Sequence, residues 1–102
     1  MKKKTAKLAR IERKRYSIFT DDLKHCYLCG DTPADIHEVF GGANRRASME
    51  NGLCLPLCRH HHQIATDDAY FSNILKQTTQ REFEKFHTRA EFMKIIGRNY
   101  LE

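Results

Sequence analysis

Two pairs of ligand-type residues, each with two residues inside it, bracket the middle of the chain. They are Cys26-Tyr27-Leu28-Cys29 and, after 28 intervening residues, Cys58-Arg59-His60-His61, with His62 following at once. A tight turn between two such residues points both side chains at one ion, and a set of thiolates and imidazole at this spacing suits a tetrahedral Zn²⁺. The spacing selects Cys26, Cys29, Cys58 and His61 as a closed structural zinc site and leaves His60 as a flanking residue. Cys54, offset from both pairs, reads as a small buried hydrophobe. In 102 residues a single hydrophobic core gives modest stability, and a metal staple is a common supplement.

Charge narrows the class further. Residues 1–15 hold Lys2, Lys3, Lys4, Lys7, Arg10, Arg13, Lys14 and Arg15 against Glu12, a net of +7, whereas the whole chain carries +5. The rest is therefore slightly acidic, and the basicity belongs to an N-terminal arm suited to neutralising phosphates without reading sequence. The bland alternative is a solvated terminus that aids solubility. Met1-Lys2-Lys3-Lys4 leads into polar sequence without the apolar stretch of a secretory leader, and no run reaches the length of a membrane span. The expectation is a cytoplasmic protein with no membrane association, in which paired cysteines bind metal and do not form disulfides.

The pattern predicts a small α+β protein: a basic arm over 1–15, then a single domain over 16–102, with a zinc-pinned core at 24–66 and C-terminal helices over 67–100. Leu8 and Ile11 give a thin apolar stripe, so 5–15 reads as a helix that firms up on a partner. Asp35-Ile36-His37-Glu38-Val39-Phe40 reads as a strand ended by Gly41-Gly42, residues 43–51 as a polar loop, and Leu53-Cys54-Leu55-Pro56-Leu57 as a second strand, at an edge because of Pro56. Residues 59–65 lack a breaker and should be helical, which makes a ββα unit. Phe71, Ile74, Leu75, Phe83 and Phe86 recur at roughly helical intervals after the N-cap candidates Thr66-Asp67-Asp68. Thr88-Arg89-Ala90-Glu91 is a capping-box pattern before a last helix bearing Phe92, Ile95 and Ile96.

His62 is one histidine more than a closed zinc site needs, and His37-Glu38 lies on the strand between the two pairs. In a ββα unit the first strand and the first turn of the helix face each other, so His37 and His62 can converge on a second divalent cation. With few protein ligands such a site stays open to water and phosphate oxygens, as a Mg²⁺ or Mn²⁺ site requires. Arg45, Arg46 and Arg59 are candidates for gripping a phosphate backbone; ordinary solvated surface arginines are an equal reading of each.

Residues 26–62, in the order CxxC, strand, loop, strand, CxxHH, resemble the HNH endonucleases of the His-Me finger (ββα-metal) class in their zinc-stapled version. The stretch from Ile36 to Arg46 and the ending Phe92 to Tyr100 look like small phage and prophage members, with distant similarity to phage recombination-enhancing nucleases. The resemblance implies a metal-dependent DNA endonuclease or nickase with DNA as partner and a phage or recombination protein as a further one. Carried over by position, the catalytic set is His37, Glu38, Asn51 and His62, with Asn44 the other candidate for the motif Asn. Glu38 stands where the family usually has the base imidazole. Either His37 binds the ion and Glu38 activates water, or His37 is the base and Glu38 or Asp35 helps hold the ion. That departure keeps a second expectation open: a zinc-finger module for nucleic-acid binding or phage assembly, with a decayed centre.

Overall fold

The computed structural model describes residues 9–10 and 15–101; Lys2, Lys3, Lys4 and Lys7, and most of the helix expected over 5–15, lie outside these. Strand β1 (Ala34–Glu38) pairs antiparallel with β2 (Cys54–Cys58), with Ala34 opposite Cys58, Ile36 opposite Pro56 and Glu38 opposite Cys54. Between them lie a 3-10 turn (Gly42–Asn44) and helix α1 (Arg45–Glu50); after β2 come α2 (Arg59–Asp67), α3 (Ala69–Phe83) and α4 (Arg89–Ile96). The order β1, β2, α2 is a ββα-like unit. No helix of the described residues is long and apolar enough to cross a membrane.

Pro56 is accommodated inside β2 because of where its backbone points. Its carbonyl accepts from the Tyr27 amide at 2.8 Å, so this residue's backbone faces away from β1 and its missing N–H costs the ladder no bond. The same contact ties the Cys26–Cys29 turn to the sheet. All five residues of β2 are buried, and Leu53, Leu55 and Leu57 pack with Phe40, Ala65, Leu75, Phe83, Phe92 and Ile96 in one cluster. A fully buried aromatic such as Phe92, at 0% exposure, contributes roughly 3–5 kcal/mol relative to alanine.

The structure corrects two expectations. The stretch 43–51 is not a loop: it closes into the 3-10 turn and α1, because Met49 and Ser48 are buried and Ser48 Oγ donates to the Leu53 carbonyl at 2.7 Å. Gly52 ends that helix at a φ of +67°, and a Cβ there would meet the Tyr16 ring at 2.5 Å, so the position requires glycine. Phe86 is not core. Helix α3 stops at Phe83, and Phe86 is 83% exposed, while Thr79 and Gln80 take the buried positions instead. The caps agree with the sequence reading. Asp68 accepts from the Phe71 amide at 3.0 Å, and Thr88 and Glu91 form both bonds of a capping box.

Candidate metal centre and the adjoining histidine cleft

Three segments bring the four zinc-type residues together. Gly30, with φ at +81°, lets the chain turn so that its amide reaches the Cys26 carbonyl at 2.8 Å, which aims Cys26 and Cys29 the same way. Cys58 ends β2 and serves as the N-cap of α2, and His61 sits in that helix's first turn. Ligand atoms of Cys26, Cys29, Cys58 and His61 all lie within 4.8 Å of one another. Cys29 and Cys58 sulfurs are 3.8 Å apart, and His61 Nδ1 lies 3.5 Å from Cys26 Sγ and 3.3 Å from Cys58 Sγ. A tetrahedral Zn²⁺ at ordinary bond lengths separates its ligand atoms by about 3.5–3.8 Å. The donor set and its spacing therefore fit a structural zinc ion, with His61 and not His60 as the fourth donor.

Burial opposes ionisation of Cys26, yet backbone N–H groups of Cys58, Cys29 and Leu28 bring its pKa down to about 6. At Cys29 the Asp31 backbone favours the thiolate, but burial and the Cys26 and Cys58 sulfurs push it up to about 11. Adjacent sulfurs cannot all ionise without a cation among them. Cys54 stands apart, buried, donating to the Tyr16 carbonyl at 3.1 Å, with a pKa raised to about 12 by burial and the nearby Glu38 charge. It is no part of the cluster.

Beside the zinc-type site, His37 on β1 meets His62 on α2, with ring centroids 5.2 Å apart and planes at 68°. His62 Nδ1 lies 3.5 Å from Asp35 Oδ2. Asp35 and His37, two apart on a strand, share a face. Burial, His62 and the Lys76 charge from α3 lower the His37 pKa to about 4, so at neutral pH its ring is uncharged with one nitrogen able to accept. Asp35, His37 and His62 do not converge as closely as the cysteine cluster does. Among the described residues that cluster is the one group of three or more possible ligands within 4.8 Å of each other. Asp35 and His62 also line an open hollow of about 390 Å³ with Arg59, Gln63, Thr66 and Asp67.

Other sequence-derived candidates fall elsewhere. Glu38, one residue past His37, points to the opposite face, where its carboxylate pairs with Arg15 at 3.1 Å beneath Cys54. The strand's alternation separates it from the cleft, so the structure does not bring it to His37 and His62. Asn51 caps α1, its Nδ2 donating to the Ala47 carbonyl at 2.8 Å, and it borders a groove with Tyr16, Ile18 and Phe86 on another side of the molecule. Asn44 ends the 3-10 turn. Arg46 pairs with Glu50 one turn along α1 at 2.7 Å, and Arg45 is half-buried in the same helix. Of the three arginines, Arg59 alone borders the hollow next to His62. Lys76 was not singled out by the sequence; one lysine on a helix 39 residues from His37 carries no local signal.

No family model matches the chain, and no curated protein or solved structure matches it either.

Proposed function

We propose that this chain is a metal-dependent endonuclease or nickase of the HNH type, hydrolysing DNA phosphodiester bonds at the His37–His62 cleft, with Zn²⁺ at the cysteine cluster as scaffold. The observation that carries the reading is the edge-on pairing of His37 and His62 at 5.2 Å on opposite arms of a ββα unit pinned at Cys58 and His61. An imidazole from each arm, with Asp35 alongside, gives one group to hold an accessible cation and another to activate a water beside it.

In this reading the geometry favours the assignment in which His37 is the base. It is neutral at pH 7, half-buried and on the same strand face as Asp35, whereas Glu38 is turned to Arg15. His62, with Nδ1 toward Asp35, has Nε2 left for an ion, and Asp35 orients the ring. A Mg²⁺ or Mn²⁺ held at His62 Nε2, with water and phosphate oxygens in its other positions, would supply the charge that counters the phosphorane-like transition state and the leaving 3′ oxygen. His37 takes the proton of the attacking water. Its low pKa makes it a weak acceptor; a bound phosphate offsets the Lys76 charge, the smallest of the three causes that lower it. Arg59 at the rim grips the backbone.

Zinc-loaded protein incubated with supercoiled plasmid and Mg²⁺ or Mn²⁺ is expected to give nicked or linear product, lost in His37→Ala and His62→Ala. Intact plasmid under both ions would rule the reading out. A second reading, a zinc-stapled module that binds nucleic acid or a phage assembly partner without cutting, draws on one observation: the residue in the base position, Glu38, is committed to an ion pair. It expects salt-sensitive DNA binding and no strand breaks.

A further inference from the structure

Helix α3 and the C-terminal segment build a second cationic feature beside the histidine cleft. Gly97, with φ at +87°, ends α4 and turns the chain back, so that Arg98, Asn99 and Tyr100 return across α3. Two glutamines on α3 hold this return in place. Gln80, fully buried, accepts from the Tyr100 amide at 2.8 Å and donates to Asn99 Oδ1 at 2.8 Å, while Gln77 donates to the Tyr100 carbonyl at 3.0 Å. From beneath, the Tyr100 ring rests on Phe40 at 5.3 Å between centroids. Lys76 Nζ lies 5.6 Å and Arg98 Cζ 5.0 Å from the centroid of that one ring.

Each contact alone is an ordinary cation–π pair. Together they place two positive charges on one fixed aromatic support, and neither cation has an acidic partner among the described residues. Their N–H groups lack the charged acceptor that a phosphate oxygen supplies. The Phe40 ring under Tyr100 lies three residues past His37 in the chain, which puts this pair near the end of β1 that carries the cleft and not on a remote surface.

We propose that Lys76 and Arg98, held on the Tyr100 ring, form a cradle for a DNA backbone phosphate neighbouring the one at His37 and His62. The placement of that neighbouring phosphate rests on the nuclease reading; the cradle itself rests on the three side chains. Its role is positioning: it holds the strand so that the scissile ester meets His37.

The test is binding of a short labelled DNA duplex to the full zinc-loaded chain, by fluorescence anisotropy between about 50 and 200 mM salt, with no chelator and no added Mg²⁺ or Mn²⁺. Losing one phosphate contact should lower affinity about five-fold near 0.15 M salt and reduce the slope of log K against log salt by about 0.9. That result is expected for Lys76→Ala and for Arg98→Ala, with Lys76→Arg close to wild type. Lys94→Ala, an exposed lysine on α4, is the control for general charge and should keep the wild-type slope. Zinc content and circular dichroism of each variant guard against misfolding, and exposed Arg98 gives a readout free of it. Equal slopes for wild type, Lys76→Ala and Arg98→Ala would overturn the cradle, as would an equal drop in Lys94→Ala, or a wild type that binds RNA but not DNA.

Cleavage assays separate the two ideas. Slopes that fall while wild type leaves plasmid intact keep the cradle and remove the nuclease. Plasmid cutting with unchanged binding and KM in both alanine variants does the reverse.

Discussion

The cysteine cluster and the histidine cleft are built from the same ββα unit and differ in how completely the protein fills them. At the cluster, Cys26, Cys29, Cys58 and His61 bring four donors within 4.8 Å, with Cys26 and Cys58 buried. At the cleft, one half-buried and one partly exposed imidazole meet edge to edge with a carboxylate at one side. Four protein donors leave an ion nothing to exchange, which suits a fastener; two or three leave room for water and a phosphate oxygen. The contrast predicts that removing metal from the cluster is the most damaging change available. Stripping zinc with a strong chelator, or Cys58→Ser, should abolish cooperative unfolding, since structural zinc contributes on the order of 10 kcal/mol in small domains. Circular dichroism melts and metal analysis check this, with one zinc per chain expected and Cys54→Ser retaining it. A chelated protein that melts like the loaded one would break the comparison at its stronger half.

The cleft should respond in the opposite way. His37→Ala and His62→Ala are expected to cut the rate of plasmid nicking by about 10²–10⁴-fold while keeping one zinc and a melting temperature near that of wild type. A large loss of stability in either variant would place these histidines with the scaffold and undo the distinction.

The cluster was fully legible in the sequence because its signal is local: CxxC and CxxH fix ligand identity through turn and helix geometry without knowledge of the rest. His37 and His62 were legible as a pair because a ββα unit sets a strand against the first helical turn. Glu38 lies away from the cleft because of the period of a strand: alternation alone puts Asp35 and His37 on one face and Glu38 on the other. Residues 43–51 read as a loop because their polar composition hides Ser48 and Met49, whose burial depends on contacts with Leu53 and Arg15. Lys76, Arg98 and Tyr100 meet only through the tertiary return of the C-terminal segment, which no local pattern encodes.

That face assignment sharpens the comparison at a smaller scale. Glu38→Gln should cost roughly 2–4 kcal/mol in denaturant melts, because Arg15 loses a largely buried carboxylate, yet leave nicking within a factor of a few. Asp35→Asn should do the converse: little change in stability and a loss of about 10–100-fold in activity, as for other partners that orient a metal-binding imidazole. Activity that collapses in Glu38→Gln and survives in Asp35→Asn would reverse the roles assigned to the two carboxylates.

The smallest expected effect is the response of His37 to acid. In the unfolded chain its pKa is near 6.5, and in the fold burial, His62 and Lys76 lower it to about 4. Between these values the unfolded state binds the proton first, so stability rises with pH across that window. The contribution is complete above about pH 6.5 and is lost as pH falls through 6.5 toward 4. For a half-buried ring, screened by solvent on its open side, the loss between pH 7 and pH 5 is about 1 kcal/mol. Protonation of the cysteine ligands adds a steeper loss over the same range, but it is common to wild type and His37→Gln, so the difference between their denaturation midpoints isolates the imidazole. With zinc in excess and no other divalent ion, wild type should lose that extra increment and the glutamine variant should not. Parallel curves would mean that His37 is as well solvated as a surface histidine, and burial would then not be what separates its titration from that of an exposed imidazole.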